Sequence, residues 1–220
     1  MTRSMNALLA VCPFIFGLLL SFATVAEEKP TYYIYLAGPE VFLSEPVAAG
    51  AEKKQMIEAM NSQYDWPFRL EGLYPLDNEI PDFKPDYPTG IRIYQANIAQ
   101  MNKAHFILAN MVRFRGPSMD VGTAFEMGYA SGLGKPVFAY YEAKPFYGAE
   151  EEPGVYNERV VSFFKLKPGA NVDPDGISIE SFAMSDNLMM IGALDASGAT
   201  INASFEETIL AIADYLKSQR

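Results

Sequence analysis

Asp120 and Glu126 stand six residues apart in the stretch DVGTAFEMGYASGLGKPVFAYY, residues 120 to 141, with a Gly-Thr pair between them. Two carboxylates placed where a chain turns into a helix can do nucleophilic or acid–base chemistry, if a pocket brings them together. The same residues also suit a purely structural role. Thr123 and Glu126 have the T-x-x-E spacing of a capping box, and Asp120 is an acid near the positive end of a helix. Taken alone, the segment does not choose between the two.

The elements around it show what would position these groups. TYYIYLAG, residues 31 to 38, is a short β-rich apolar run ending at Gly-Pro, which predicts a buried strand followed by a loop. Residues 46 to 63 predict a helix with Ala48, Ala51, Met56, Ala59 and Met60 on its apolar side. FRLEGLYPLDNEIPDFKPDYPTG begins as a strand and becomes a Pro- and Asp-rich loop of a length often found in functional lids. From Ile91, the spacing Ile91, Tyr94, Ile98, Met101 steps by three, four and three, one face of a helix.

HFILANM (105 to 111) is the next strand, VRFRGPSMD the loop after it, and Thr123 to Gly132 a helix closed by Gly134. KPVFAYY (135 to 141) returns as a strand, and an acidic Pro- and Gly-containing segment runs from Glu142 to roughly Ser178. Two helices follow: one around Asp186 to Leu194, and SFEETILAIADYLKS, with Phe205, Ile209, Ile212 and Leu216 on one face and Ser204 and Glu207 as a capping box. No internal repeat or low-complexity tract interrupts the pattern.

Such alternation of strands and helices predicts a mostly parallel sheet covered by helices on both faces. Ligands in these sheets bind at the carboxyl ends of the strands, near the switch point. The loops after Ala37, Asn110 and Tyr141 therefore line the expected site, and Asp120 and Glu126 follow the second of them.

At the N-terminus, Arg3 precedes an uncharged stretch from Ser4 to Ala26, with Thr24-Val25-Ala26 as a small-residue cleavage site. Residues 1–26 read as a signal peptide and imply export, periplasmic or secreted, with an uncleaved membrane anchor as the alternative. Residues 27–220 are then a single domain of 194 residues, long enough for a full core. It holds no cysteine, which excludes a disulfide framework and a thiolate zinc site. Sixteen Lys and Arg stand against 27 Asp and Glu, a net charge of −11 that argues against nucleic acid as a partner and suits small neutral substrates.

Three stretches together, YIYLAGPEVF (33 to 42), ANIAQMNKAHFILANM (96 to 111) and the 120 to 141 segment, resemble the nucleoside 2-deoxyribosyltransferase family. The last reads Asp120-Val-Gly122-Thr123-Ala124-Phe-Glu126-Met-Gly128-Tyr-Ala130, followed by Gly134-Lys135-Pro136. The resemblance covers residues 33 to about 141 and resumes weakly at DNLMMIGAL, 186 to 194.

What the resemblance implies is a flavodoxin-like, doubly wound α/β fold and cleavage of the N-glycosidic bond of a 2'-deoxynucleoside, with 2'-deoxynucleosides and free nucleobases as substrates. Glu126 would be the nucleophile at C1', Asp120 the group that handles the base, and Tyr35 the hydroxyl that orients the nucleophile. Asn97, Gly38, Gly122 and Asn187 would bind substrate. Asn97 stands where some members carry an aspartate, and Asn187 matches an asparagine that a neighbouring subunit contributes, which implies a homo-oligomer, a dimer or higher. Hydrolysis of a deoxynucleoside or its 5'-monophosphate is the nearest alternative on this fold, and a non-catalytic nucleoside-binding module is another.

Neither cofactor nor metal is expected. His105, the only histidine, cannot build a His-rich site alone, and the loop acids lack a calcium-loop pattern. His105 reads as a surface or core residue, and Arg113 and Arg115 as loop residues near the site mouth.

Overall fold

The structure is a computed structural model, and it describes residues 28–147 and 153–219. The signal segment expected over residues 1–26 lies outside the described residues. Five strands form one parallel sheet: β1 (Thr31–Ala37), β2 (Arg69–Leu73), β3 (Phe106–Asn110), β4 (Val137–Tyr140) and β5 (Ile201–Asn202). Their order is β2-β1-β3-β4-β5, the flavodoxin-like arrangement with its switch point between β1 and β3. Two-residue β5 is too short for any period to announce it in the sequence.

The described residues include seven α-helices: α1 (Pro46–Gln63), α2 (Tyr87–Lys103), α3 (Val121–Gly132), α4 (Lys144–Tyr147), α5 (Tyr156–Phe163), α6 (Leu188–Asp195) and α7 (Phe205–Ser218). Alternation along the strands sorts the core into two layers. Ile34, Leu36, Leu108, Phe138 and Tyr140 face Ile57 and Met60 of α1 and Phe205, Ile209, Ile212 and Leu216 of α7. Tyr35, Ala37, Ile107, Ala109, Val137 and Ala139 face Met101 of α2, Met127 and Ala130 of α3 and Leu194 of α6. Each fully buried aliphatic or aromatic side chain contributes about 1.5–3 kcal/mol. The anchors of α7, Phe205, Ile209, Ile212 and Leu216, are all buried, as their spacing predicts.

Several local readings are corrected. Helix α1 keeps its expected bounds but buries Gly50, Lys53, Ile57 and Met60, while Ala48 and Ala59 are exposed. The reason is an ion pair: Lys53 is drawn inward by Glu40, so polarity misleads the pattern. Helix α2 begins at Tyr87, capped by the Asp86 side chain accepting from Thr89 N at 3.0 Å. Of its expected apolar face only Met101 is buried, while Ile91 and Tyr94 are exposed. At α7, Ser204 Oγ accepts from Glu207 N at 3.1 Å, whereas Glu207 reaches back to Ala203 N rather than to Ser204. The segment after Tyr141 contains α4 and α5.

Candidate functional site

The site forms where β1 and β3 diverge. Tyr35 sits near the end of β1, paired between Leu73 and Ile107, and is fully buried on the α3 side of the sheet. Helix α3 buries Thr123, Met127 and Ala130, the four-and-three spacing of one helical face. Glu126, beside Met127 on that face, meets Tyr35, whose hydroxyl donates to Glu126 Oε1 at 2.6 Å. This is a short, charge-assisted geometry.

The capping box expected at Thr123 and Glu126 is absent from the start of α3. Asp120 is the cap: its Oδ2 accepts from Thr123 N at 2.8 Å and from Thr123 Oγ1 at 3.0 Å. Helix α3 therefore starts at Val121, two residues before the expected boundary, and Glu126 is released from capping to face Tyr35. Gly122 matters here because a Cβ on it would stand 3.0 Å from Asp120 Oδ2. Its lack of a side chain lets the cap carboxylate fold back onto the helix.

Electrostatics single out Glu126. Burial pushes the Glu126 carboxyl up to about 7; the Tyr35 hydrogen bond pulls it down, and the charge of Asp120 raises it further. Tyr35 is held well above the ordinary phenol range, first by burial and then by the charge of Glu126 and the bond to it. It therefore stays a donor at every physiological pH. A carboxylate of this kind, half-buried beside a second acid, is poised to exchange a proton near neutrality.

The other expected residues are placed as follows. Asn97, on α2, is half-buried and accepts from Asn78 Nδ2 at 3.3 Å. Asn187 caps α6, its oxygen accepting from Met189 N at 3.0 Å and its amide donating to Glu180 at 2.8 Å. Gly38 follows β1, and a Cβ there would stand 2.0 Å from Glu40 Oε2, so the carboxylate of Glu40 fills the space that a side chain would need. His105 lies at the opposite end of the sheet, exposed, its Nδ1 accepting from Tyr33 N at 2.9 Å. Arg113 lies over the Tyr147 ring and Arg115 over Phe42 and Phe114. Among the described residues no group of three or more His, Cys, Asp or Glu side chains is arranged to hold a metal ion.

Sequence reasoning missed a second polar cluster on the α1 side of the same strand ends. Glu40, which is 2% exposed, accepts from Lys53, from Asn110 Nδ2 at 2.8 Å and from the Tyr140 hydroxyl at 3.1 Å. Asn110 also accepts from Val112 N at 3.2 Å and Glu142 N at 3.1 Å. One buried ion pair thus ties together the loops after β1, β3 and β4. The signal available was Glu40 directly after a buried strand, with Lys53 at the 50, 53, 57, 60 spacing of a buried helical face.

A cavity of about 510 Å³ lies between the loop after β3 and α5, lined by Arg113, Pro117, Val155, Arg159 and Phe163 among others. It is lined by none of Tyr35, Asp120 and Glu126.

The model of the nucleoside 2-deoxyribosyltransferase family matches residues 34–189. A solved 2-desoxiribosyltransferase from Leishmania mexicana is 26% identical, with a TM-score of 0.56 covering 83% of this chain and 97% of that one. A conserved protein from Enterococcus faecalis V583 shares the fold at 19% identity and a TM-score of 0.52, covering 86% of this chain and 99% of that one. An uncharacterized protein of Schizosaccharomyces pombe is 27% identical over 216 residues, 88% of this chain and 94% of its own length. With most of the chain matched and the fold shared, the chain belongs to the nucleoside 2-deoxyribosyltransferase family.

Proposed function

We propose that this chain transfers the 2-deoxyribosyl group of a 2'-deoxynucleoside to a second nucleobase through a covalent intermediate on Glu126. The observation that carries this reading is the Tyr35 hydroxyl bonded to Glu126 Oε1 at 2.6 Å, with the Asp120 charge close enough to raise the same carboxyl. In the reactive form Glu126 is ionised and Asp120 acts as the proton donor to the leaving base. The Glu126 oxygen forms a bond to C1' as the C1'–N bond breaks, the electron pair returning to the base nitrogen with the proton from Asp120. An acceptor base nitrogen then attacks C1', its proton goes back to Asp120, and the C1'–O bond breaks to restore Glu126. Two displacements at one carbon retain configuration.

Tyr35 orients the nucleophile and its hydrogen bond favours the ionised form. Asn97, Gly38 and Gly122 are assigned to substrate, as the resemblance implies. Asn187 is assigned to the pocket of a neighbouring copy, a reading that the exposed Tyr94, Phe125 and Met189 support because apolar side chains in water favour association. The apolar run led by Arg3 supports an exported enzyme, and a mature N-terminus at Glu27 is the check.

Export also favours a second reading, hydrolysis, because transfer between bases is usually a cytoplasmic salvage reaction. Incubation with deoxyinosine, with and without adenine, separates the two. Deoxyadenosine formed only with adenine supports transfer, whereas free sugar in both tubes supports hydrolysis. Absence of both products, with ligand binding retained in calorimetry, points to a non-catalytic module.

A further inference from the structure

We infer that Asp186 is the positioning residue that holds Asp120 in the site, an inference that rests on the catalytic reading above. Asp186 is 1% exposed and accepts four hydrogen bonds from three separate parts of the chain. Ser118 Oγ and Met119 N, the latter at 3.1 Å, come from the loop that ends at Asp120. Asn187 N donates at 2.8 Å from the start of α6, and Arg159 Nη2 donates at 3.1 Å from α5.

The geometry has a specific consequence. The side-chain bonds of Asp120, both from Thr123, fix its carboxylate relative to α3, and its carbonyl accepts from Ala124 N at 2.9 Å, but none of these holds the backbone that precedes it. Met119 is the residue immediately before it, and Met119 N is bonded to Asp186. Asp120 is therefore held from both sides. The loop is closed further by the Arg113–Met119 bridge and by Phe114 N donating to Ser118 O at 2.9 Å.

Arg159 compensates the buried charge and adds reach. Its guanidinium donates to Pro117 O at 2.7 Å, to Ser185 O at 2.6 Å and to Pro153 O, besides Asp186. The residues from 153 to 186 are thus fastened to the loop that carries Asp120. Their role is to stiffen the site rather than to touch substrate. Breaking a buried charge pair at one partner is costly, which is why loss of Asp186 must be tested against a purely structural role.

A double-substitution cycle does so, with kcat normalised to folded enzyme. Asp186→Asn is expected to lower kcat about tenfold with KM changed less than about twofold, by analogy with other residues that orient a reacting group. Asp120→Asn lowers kcat further, by on the order of 100-fold. The double variant is expected to match Asp120→Asn alone, because a residue that acts through Asp120 has nothing left to position. If the two losses multiply, or if Asp186→Asn leaves kcat unchanged, the inference is overturned and the catalytic reading stands. If Asp120→Asn alone costs nothing, the catalytic reading fails and takes the inference with it. Should Asp186→Asn not fold, Ser118→Ala, which removes a single donor, takes its place in the cycle under the same criterion.

Discussion

The Tyr35 hydroxyl, at the end of β1, donates to Glu126 Oε1 on α3 at 2.6 Å, joining two residues 91 positions apart at the switch point of the sheet. Parallel pairing of β1 with β3, and the packing of α3 onto that face, bring them together. The bond draws Glu126 away from the helix start, and burial makes its carboxyl titrate near neutrality.

If Glu126 is the nucleophile, Glu126→Ala abolishes turnover, a loss of roughly 10⁴-fold or more. Mass spectrometry of the wild-type protein incubated with deoxynucleoside alone then shows a 2-deoxyribosyl adduct on the peptide containing Glu126. Turnover that survives in Glu126→Ala, or an adduct on another residue, removes Glu126 from this role.

The pH profile follows from the ionisation of Glu126. The nucleophile is the carboxylate, so kcat/KM rises with pH through about 7 as Glu126 loses its proton. The Tyr35 hydrogen bond lowers the Glu126 value, so Tyr35→Phe moves this acid limb to higher pH while reducing kcat. A limb that moves to lower pH in Tyr35→Phe contradicts the assignment.

Stability carries the same signature with a definite sign. Glu126 titrates at about 7 when folded against 4.5 as the ordinary value, so the folded state binds the extra proton between these limits. Its stabilising contribution is full below about 4.5 and is lost as pH rises through 7. Glu126→Gln is therefore expected to be more stable than wild type at pH 8 by on the order of 2 kcal/mol, a figure reduced for partial solvent access. Urea melts at pH 8 and pH 4.5 check it, the difference closing at the lower pH.

Lys53→Met tests the second cluster. It leaves Glu40 buried opposite Tyr140 and Asn110 without a cation, at a cost of about 3–5 kcal/mol. Glu40→Gln combined with Lys53→Met recovers part of that loss, since no uncompensated charge remains. Equal destabilisation in the single and double variants, by chemical denaturation, rules out the ion pair as the cause.

The architecture was legible in the sequence wherever burial set the pattern. Short apolar strands alternating with helices and the face of α7 follow from hydrophobic period alone, and they dictate a doubly wound sheet with its site at the strand ends. The types of the site residues, Tyr35, Asp120 and Glu126, were also readable, because their spacing resembles a family motif. The choice between a cap and a reactive group was not. Thr123 and Glu126 satisfy the local capping pattern, yet Asp120 takes the cap and Glu126 turns to Tyr35, 91 positions away. Local spacing encodes what neighbours along the helix can do, whereas the partner a side chain takes depends on which strand is packed beneath it. The same reason hid Lys53 and Asp186, since a charged residue reads as exposed until the fold supplies the counter-charge that lets it be buried.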